Sequence, residues 1–287
     1  MPHEVKKPTT IEEQVNTLKR HGCLISDEVF CHQVLESISY YRLSAYFLPF
    51  KSDSGMYKDG TSFHRVYRIY EFDRKLRAIL FSALEEVEIY LRSRFSYFHS
   101  HKYGSVGYLD ASTFSDKHDH TKFENNIQRE ISSNQQVLFV KHHIDNYDGL
   151  FPLWVIFELF TFGMLSYFYN DLKTPDKKQL ASELYHTVPQ NVISWLRCCT
   201  DLRNICAHYG RLYYRIFPAA PGGLPLSNAA RHRLWGAVCA LRQLYPDKNK
   251  WNYEVLASLA SLFEEYNGDI SLYHLAFPND WSKQLRK

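Results

Sequence analysis

The chain lacks any apolar run long enough to cross a bilayer, which takes about 20 mostly apolar residues. Its richest stretch, Phe151 to Tyr169, is interrupted by Pro152, Glu158, Thr161 and Gly163 and reads as a buried helix. The opening MPHEVKKPTT carries no secretory leader, and cysteine is sparse. Cys23, Cys31, Cys198, Cys199, Cys206 and Cys239 make no C-x-x-C pair. These absences predict a cytoplasmic protein with reduced thiols and no membrane contact. Charge of either sign is nearly balanced at a net +3. No surface-wide attraction for a polyanion is available, so any nucleic acid must be held by local clusters of Lys and Arg. Strand alternation, internal repeats and low-complexity tracts are also missing. With 45% hydrophobic and 23% charged residues, the composition excludes a mainly disordered chain.

What is present is helical periodicity. Thr10-Ile11-Glu12-Glu13 fits a capping box and opens a helix that ends near Gly22. Asp27 opens a second, with Val29, Phe30, Val34, Leu35 and Ile38 on one face, and a third runs from Tyr40 to Pro49. After a turn from Lys51 to Gly60, one helix is predicted from Ser62 to Lys102 and closed by Gly104. Val66, Ile69, Asp73, Leu76, Leu80, Leu84, Val87 and Leu91 recur along it at three- and four-residue steps. Its polar side is expected to carry Arg65, Arg68, Arg74, Arg77, Arg92 and Arg94, with Glu85, Glu86 and Glu88 between the two basic groups. Residues 112–133 read as a loop and a surface helix. Pro152 and Pro189 sit where helices start, and Gly210 is the expected left-handed residue after a helix ending at His208. Beyond a link from Pro218 to Pro225, single helices are predicted over Asn228–Tyr245 and Tyr253–Tyr266.

The sharpest chemical feature is Arg203-Asn204-Ile205-Cys206-Ala207-His208, at the end of a helix with Val192, Trp195, Leu196 and Leu202 on its core face. RNA can be cut with little equipment: a base for the ribose 2′-OH and a cation for the charge gathering on the phosphate. An imidazole near neutral pKa supplies the first and a guanidinium fork the second. Asn204 is placed to bond a phosphate or fix the ring. Five residues turn a helix by about 140°, so the pair shares a face only if the last turn loosens, and Gly210 favours such loosening. Arg and His near a helix C-terminus are also what the macrodipole favours, so spacing alone leaves both readings open. One motif supplies one His. A site across a two-fold axis supplies both a base and an acid.

Other clusters are read as structural. Cys198, Cys199, Cys206 and His208 lack zinc-ligand spacing, and neither a metal nor a cofactor is expected. The pairs His99/His101, His118/His120 and His142/His143 are read as solvent-exposed. Glu85, Glu88 and Glu158 are read as partners of arginines inside a bundle. Arg42, Arg65, Arg68, Arg74 and Arg77 are candidates for gripping RNA phosphates without reading sequence; the alternative is a solvated helix face with surface ion pairs for those on the long helix, and an internal brace for Glu residues for Arg42.

Several blocks in order carry a resemblance: Ser39-Tyr40-Tyr41-Arg42-Leu43-Ser44-Ala45-Tyr46, the run from Ile69 to Arg77, Ala83-Leu84-Glu85-Glu86-Val87-Glu88 with Leu91-Arg92, Pro152-Leu153-Trp154-Val155 with Glu158, Phe162-Gly163-Met164-Leu165-Ser166, and Leu202-Arg203-Asn204 with Ala207-His208. From about residue 10 to 217 the chain resembles the Abi-like (AbiD/AbiF) abortive-infection family of the HEPN superfamily, with Ala45 where that family has Gly. The resemblance implies an all-α, HEPN-type helical bundle: an N-terminal helical cap over 1–57, a core over 58–217 and a C-terminal helical extension over 218–287 that matches nothing in the family. It implies a metal-independent endoribonuclease whose R-x4-6-H motif, here Arg203, Asn204 and His208, leaves 2′,3′-cyclic phosphate and 5′-hydroxyl ends. It also implies a toxin or anti-phage role, a structured noncoding RNA as partner and a homodimer. A non-catalytic HEPN scaffold that binds RNA or protein is the rival expectation.

Overall fold

A computed structural model describes residue 5 and residues 7–286. The fold is all-α: among the described residues no strand forms, and β pairing is confined to isolated bridges such as Leu24 with Ser62. The helices are α1 Ile11–Arg20, α2 Glu28–Ser37, α3 Tyr40–Phe47, α4 Phe63–Tyr103, α5 His120–Ser133, α6 Leu138–Asn146, α7 Leu153–Ile156, α8 Phe162–Asp171, α9 Thr174–Tyr185, α10 Pro189–Ala207, α11 Asn228–Arg231, α12 Leu234–Leu244, α13 Lys248–Lys250, α14 Ala257–Glu265 and α15 Trp281–Arg286. They group into two compact units, Met1–Leu76 with Ala260–Ser271, and Arg77–Leu259 with Leu272–Lys287.

In the first unit, the Thr10 hydroxyl accepts from the Glu13 N–H while the Glu13 carboxylate accepts from the Thr10 N–H, at 3.2 and 2.8 Å. Two of the orphan donors at the start of α1 are thereby satisfied. α1 buries Val15 and Leu18 and packs on α2, which buries Cys31, Val34 and Leu35. The Tyr46 hydroxyl of α3 donates at 2.7 Å to Asp73, which is fully buried. The apolar periodicity thus holds a carboxylate at one of its steps, and the phenol offsets its desolvation.

α4 forms over 41 residues because nothing between Phe63 and Tyr103 breaks it, a length of about 62 Å at 1.5 Å per residue. Gly104, at φ +88°, ends it. Its buried stripe is Val66, Ile69, Phe72, Leu76, Leu80, Leu84, Val87, Leu91 and Phe95, each side chain contributing about 1.5–3 kcal/mol. One arginine expected on its polar side lies elsewhere: Arg77 is buried, and donates at 3.2 Å to the Gly210 carbonyl.

In the second unit α10 packs on α8, α9 and α12. Arg242 and Trp251 both donate to the Leu285 carbonyl, at 2.9 and 3.1 Å, tying α15 down. Three helices expected whole are divided or shifted. Phe151–Tyr169 breaks at Phe160, which is extended, and Thr161 caps α8 through the Met164 N–H. Asn228–Tyr245 breaks at the extended Arg233, separating α11 from α12. The last begins not at Tyr253 but at Lys248, capped by Asp247, and passes through a wide turn over Trp251–Leu256. The described residues contain no helix long and apolar enough to cross a membrane.

Candidate functional site

Pro189 opens α10, where its missing N–H costs nothing. The helix is then fixed along its length. Val192, Trp195, Leu196, Cys198, Cys199, Leu202, Ile205 and Cys206 are buried, and the Trp195 indole donates to the Gly222 carbonyl at 2.9 Å. The helical bond from the His208 N–H to the Asn204 carbonyl is intact at 3.0 Å. The last turn therefore does not loosen.

The chain leaves α10 through a Schellman motif. The Tyr209 N–H bonds the Cys206 carbonyl at 3.2 Å and the Gly210 N–H bonds the Ile205 carbonyl at 2.7 Å. The residue in the left-handed region is Tyr209, at φ +56°, and not Gly210 as expected. Gly210 is needed for a different reason. A Cβ there would sit 3.0 Å from Ile205 Cγ2 and 3.2 Å from the Ile205 oxygen, so any larger residue closes the loop on the helix end only if these atoms give by a few tenths of an ångström.

Because the turn stays helical, Arg203 and His208 leave it in different directions. His208 and Asn204 are exposed. Arg203 is half-buried and lines a cavity of about 280 Å³ with Phe81, Glu85, Glu88, Ile89 and Arg92. His208 is not among the lining residues. Arg203 Nε lies 3.6 Å from Glu88 Oε2 and its guanidinium 6.0 Å from the Phe81 ring. Glu88 also accepts from Arg92 Nη2 at 2.7 Å, and Arg92 Nη1 lies 3.4 Å from Glu158. The expected role of Glu88 and Glu158 as arginine partners is what the structure shows. Arg203 thus lies beside a carboxylate that Arg92 also engages, in a lining that sets these two arginines against Glu85 and Glu88.

The remaining candidate arginines have structural partners. Arg68 forms an ion pair with Asp269 at 2.8 Å and lies 4.2 Å over Tyr266. Arg74 grips Glu71 with two nitrogens. Arg65 reaches the Asp269 carbonyl at 3.4 Å and lies over Phe50. Arg42 is half-buried on α3. These four belong to the first unit, whereas Arg77, Arg203, Asn204 and His208 belong to the second.

Of the histidines read as exposed, His99 is buried and His118 has its side chain enclosed at 2% exposure. His99 is fully enclosed among Tyr103, Phe114 and Phe168, and burial lowers its pKa to about 4. The His118 ring bonds Asp171 at 3.0 Å and His120 at 3.1 Å. Burial pushes the Cys198 thiol up to about 12 and raises Cys199 well above the ordinary thiol range. Cys198, Cys199 and Cys206 are buried while His208 is exposed, and among the described residues no three His, Cys, Asp or Glu side chains form a metal-binding group. Sequence reasoning missed Phe81 and Trp154, the latter half-exposed beside Arg92 and Glu158. An exposed tryptophan leaves no mark in helical periodicity.

The profile of a family described as Abi-like protein matches residues 33–214, from α2 to just past the helix bearing Arg203 and His208. No curated protein and no solved structure matches the chain.

Proposed function

The chain belongs to the Abi-like protein family, which points to abortive-infection defence, and we propose that it acts there as an endoribonuclease of the HEPN type. The observation that carries this reading is the exposed end of α10. Asn204 and His208 face solvent, one and five residues beyond a half-buried guanidinium that lines a cavity. His208 takes the proton of a ribose 2′-OH, and the freed oxygen attacks the adjacent phosphorus. Arg203 and Asn204 hold the non-bridging oxygens as charge gathers on them. The bond to the 5′-oxygen breaks, and a proton returns to that oxygen from the His208 of a second copy. The products are a 2′,3′-cyclic phosphate and a 5′-hydroxyl, and the balance requires no redox partner.

The separation of Arg203 and His208 within one chain supports the two-copy form. One chain offers a cation at the cavity and an imidazole outside it, and a homodimer doubles both across the shared phosphate. RNA is the partner this chemistry requires, a structured noncoding RNA being the form the family resemblance implies.

The test is cleavage of RNA that copurifies with the chain, by wild type and by His208→Ala and Arg203→Ala. General acid–base catalysis contributes about 10²–10⁴-fold, so His208→Ala is expected to lose at least a hundredfold in rate, retain RNA binding and abolish cyclic-phosphate ends. Unchanged cleavage by His208→Ala, or no cleavage by wild type, would favour a non-catalytic scaffold.

A further inference from the structure

A pocket of about 470 Å³ is walled by the second half of α4 and by Trp154 and Glu158, a volume within the range of a small-ligand site. Its α4 wall is a single stripe. Ile89, Arg92, Ser93, Ser96 and Ser100 recur at three- and four-residue steps and span about 100° of the helix. Tyr97 and His101 stand on one flank of that stripe, with ring centroids 3.9 Å apart. Trp154 comes from α7. Tyr97 and Trp154 are 59% and 52% exposed, so aromatic surface is open to whatever enters.

The polar groups of the lining narrow what fits. His101 Nδ1 lies 2.8 Å from the Tyr97 carbonyl, which only accepts, so the ring donates there and, when neutral, keeps Nε2 as an acceptor. Ser96 donates at 3.2 Å to the Ser93 carbonyl and keeps its lone pairs. Ser100 Oγ and Arg92 Nε are shut off from solvent without a hydrogen-bond partner, an arrangement that costs free energy until a ligand meets them. The charge of Arg92 is already set against Glu88 at 2.7 Å and Glu158 at 3.4 Å, so a phosphate gains little here. A lipid chain would leave the hydroxyls and the imidazole unmet. A flat, uncharged ring with donors and acceptors along its edge satisfies both the aromatic surface and the mixed polar lining, and a nucleobase is such a ring.

We propose that this pocket seats one unpaired base of a single-stranded RNA, that of the nucleotide next to the phosphate at Arg203. The base lies against Trp154 and Tyr97, and its edge bonds the serine hydroxyls. The pocket shares Ile89 and Arg92 with the Arg203 cavity, which puts the base and the phosphate on adjacent stretches of one strand. A base stacked in a duplex cannot enter, so the substrate is unpaired RNA, in the loops or tails of a structured molecule. The choice of RNA rests on the nuclease reading, but the readout is stacking and does not depend on cleavage.

Trp154 is the exposed one of five tryptophans, the other four being buried, so tryptophan fluorescence tests the pocket directly. The titrant is a short single-stranded RNA protected from cleavage by 2′-O-methyl groups. It is expected to quench the full chain, whereas a ribose-phosphate strand of the same length without bases is not. Trp154→Leu should abolish the quenching and weaken binding about tenfold or more, with unchanged helical circular dichroism. Trp154→Phe, which keeps a stacking ring, should recover most of that affinity. RNA that leaves wild type unquenched, or equal affinity for strands with and without bases, overturns the proposal. So does wild-type affinity in Trp154→Leu. Quenching by a free nucleoside monophosphate that RNA does not reproduce also overturns it and assigns the pocket to a small nucleotide. If stacking behaves as expected and His208→Ala still cleaves RNA, the base pocket stands and the nuclease reading falls. If Trp154→Leu binds as wild type does while His208→Ala loses cleavage, the pocket falls and the nuclease reading stands.

Discussion

His99 gives the fold an acid sensitivity whose size follows from its surroundings. Its ring is fully buried, neither nitrogen has a hydrogen-bond partner, and its neighbours are the rings of Tyr103, Phe114 and Phe168. Burial holds its pKa at about 4, against the opposite pull of the Asp176 carboxylate, which is itself engaged by Lys102 and Tyr103. In the unfolded chain the ring titrates near 6.5. Above pH 6.5 both states hold a neutral imidazole and the stability is full. Below it the unfolded chain takes up a proton that the folded chain refuses, so stability falls with pH until about pH 4 and no further. Each unit costs up to about 1.4 kcal/mol, which makes about 2 kcal/mol at pH 5. The perturbation is His99→Phe, which keeps a ring in an aromatic site and removes the titration. Urea unfolding followed by circular dichroism, at pH 7.5 and pH 5, gives the stability of both proteins. The variant is expected to gain on wild type by about 2 kcal/mol between the two pH values. Parallel losses would refute the assignment, because the acid sensitivity would then reside in groups that both proteins share.

Three further outcomes are expected. Tyr209→Gly and Tyr209→Ala remove the same side chain but differ in tolerance of φ +56°, so the glycine variant should unfold about 1 kcal/mol harder in urea. Equal midpoints would mean that the residue does not hold that conformation in solution. Gly210→Ala forces a methyl to 3.0 Å from Ile205 Cγ2 and should cost about 1–3 kcal/mol by the same assay, a cost that vanishes if the loop can shift freely. Glu88→Gln takes the shared carboxylate from Arg92 and Arg203. RNA binding should tighten with a steeper salt dependence, while cleavage slows about tenfold or more as Arg203 loses its position. Weaker binding with slower cleavage would point instead to a fold defect.

The all-α class was legible because α4 and α10 are long, strongly periodic and free of internal breakers, and because Thr10, Asp27 and Pro189 announce helix starts by side-chain chemistry alone. The divided helices were not. Phe160 and Arg233 are extended, and neither is a residue that breaks helices by itself. The same limit explains His99 and Arg77. Each lies on α4 where periodicity alone does not distinguish the buried from the exposed side over eleven turns, and each is enclosed by neighbours distant in sequence. Around the candidate site, the motif from Arg203 to His208 was visible as a string of letters. That Glu88 steadies the guanidinium, and that the turn beyond His208 bends at Tyr209 and not Gly210, depends on a helix more than a hundred residues earlier and on the closeness of Ile205.

The thiols along α10 have a practical consequence. With Cys198 held at about 12 and Cys199 raised well above the ordinary thiol range, only about one molecule in 10⁵ carries the Cys198 thiolate at neutral pH, and burial denies even that fraction to an alkylating reagent. Both side chains stay silent while the helix is packed. They become labelled only when the core around Trp195 and Leu202 opens, so the rate of iodoacetamide uptake measures how often the helix bearing Arg203 and His208 comes loose, without any engineered probe.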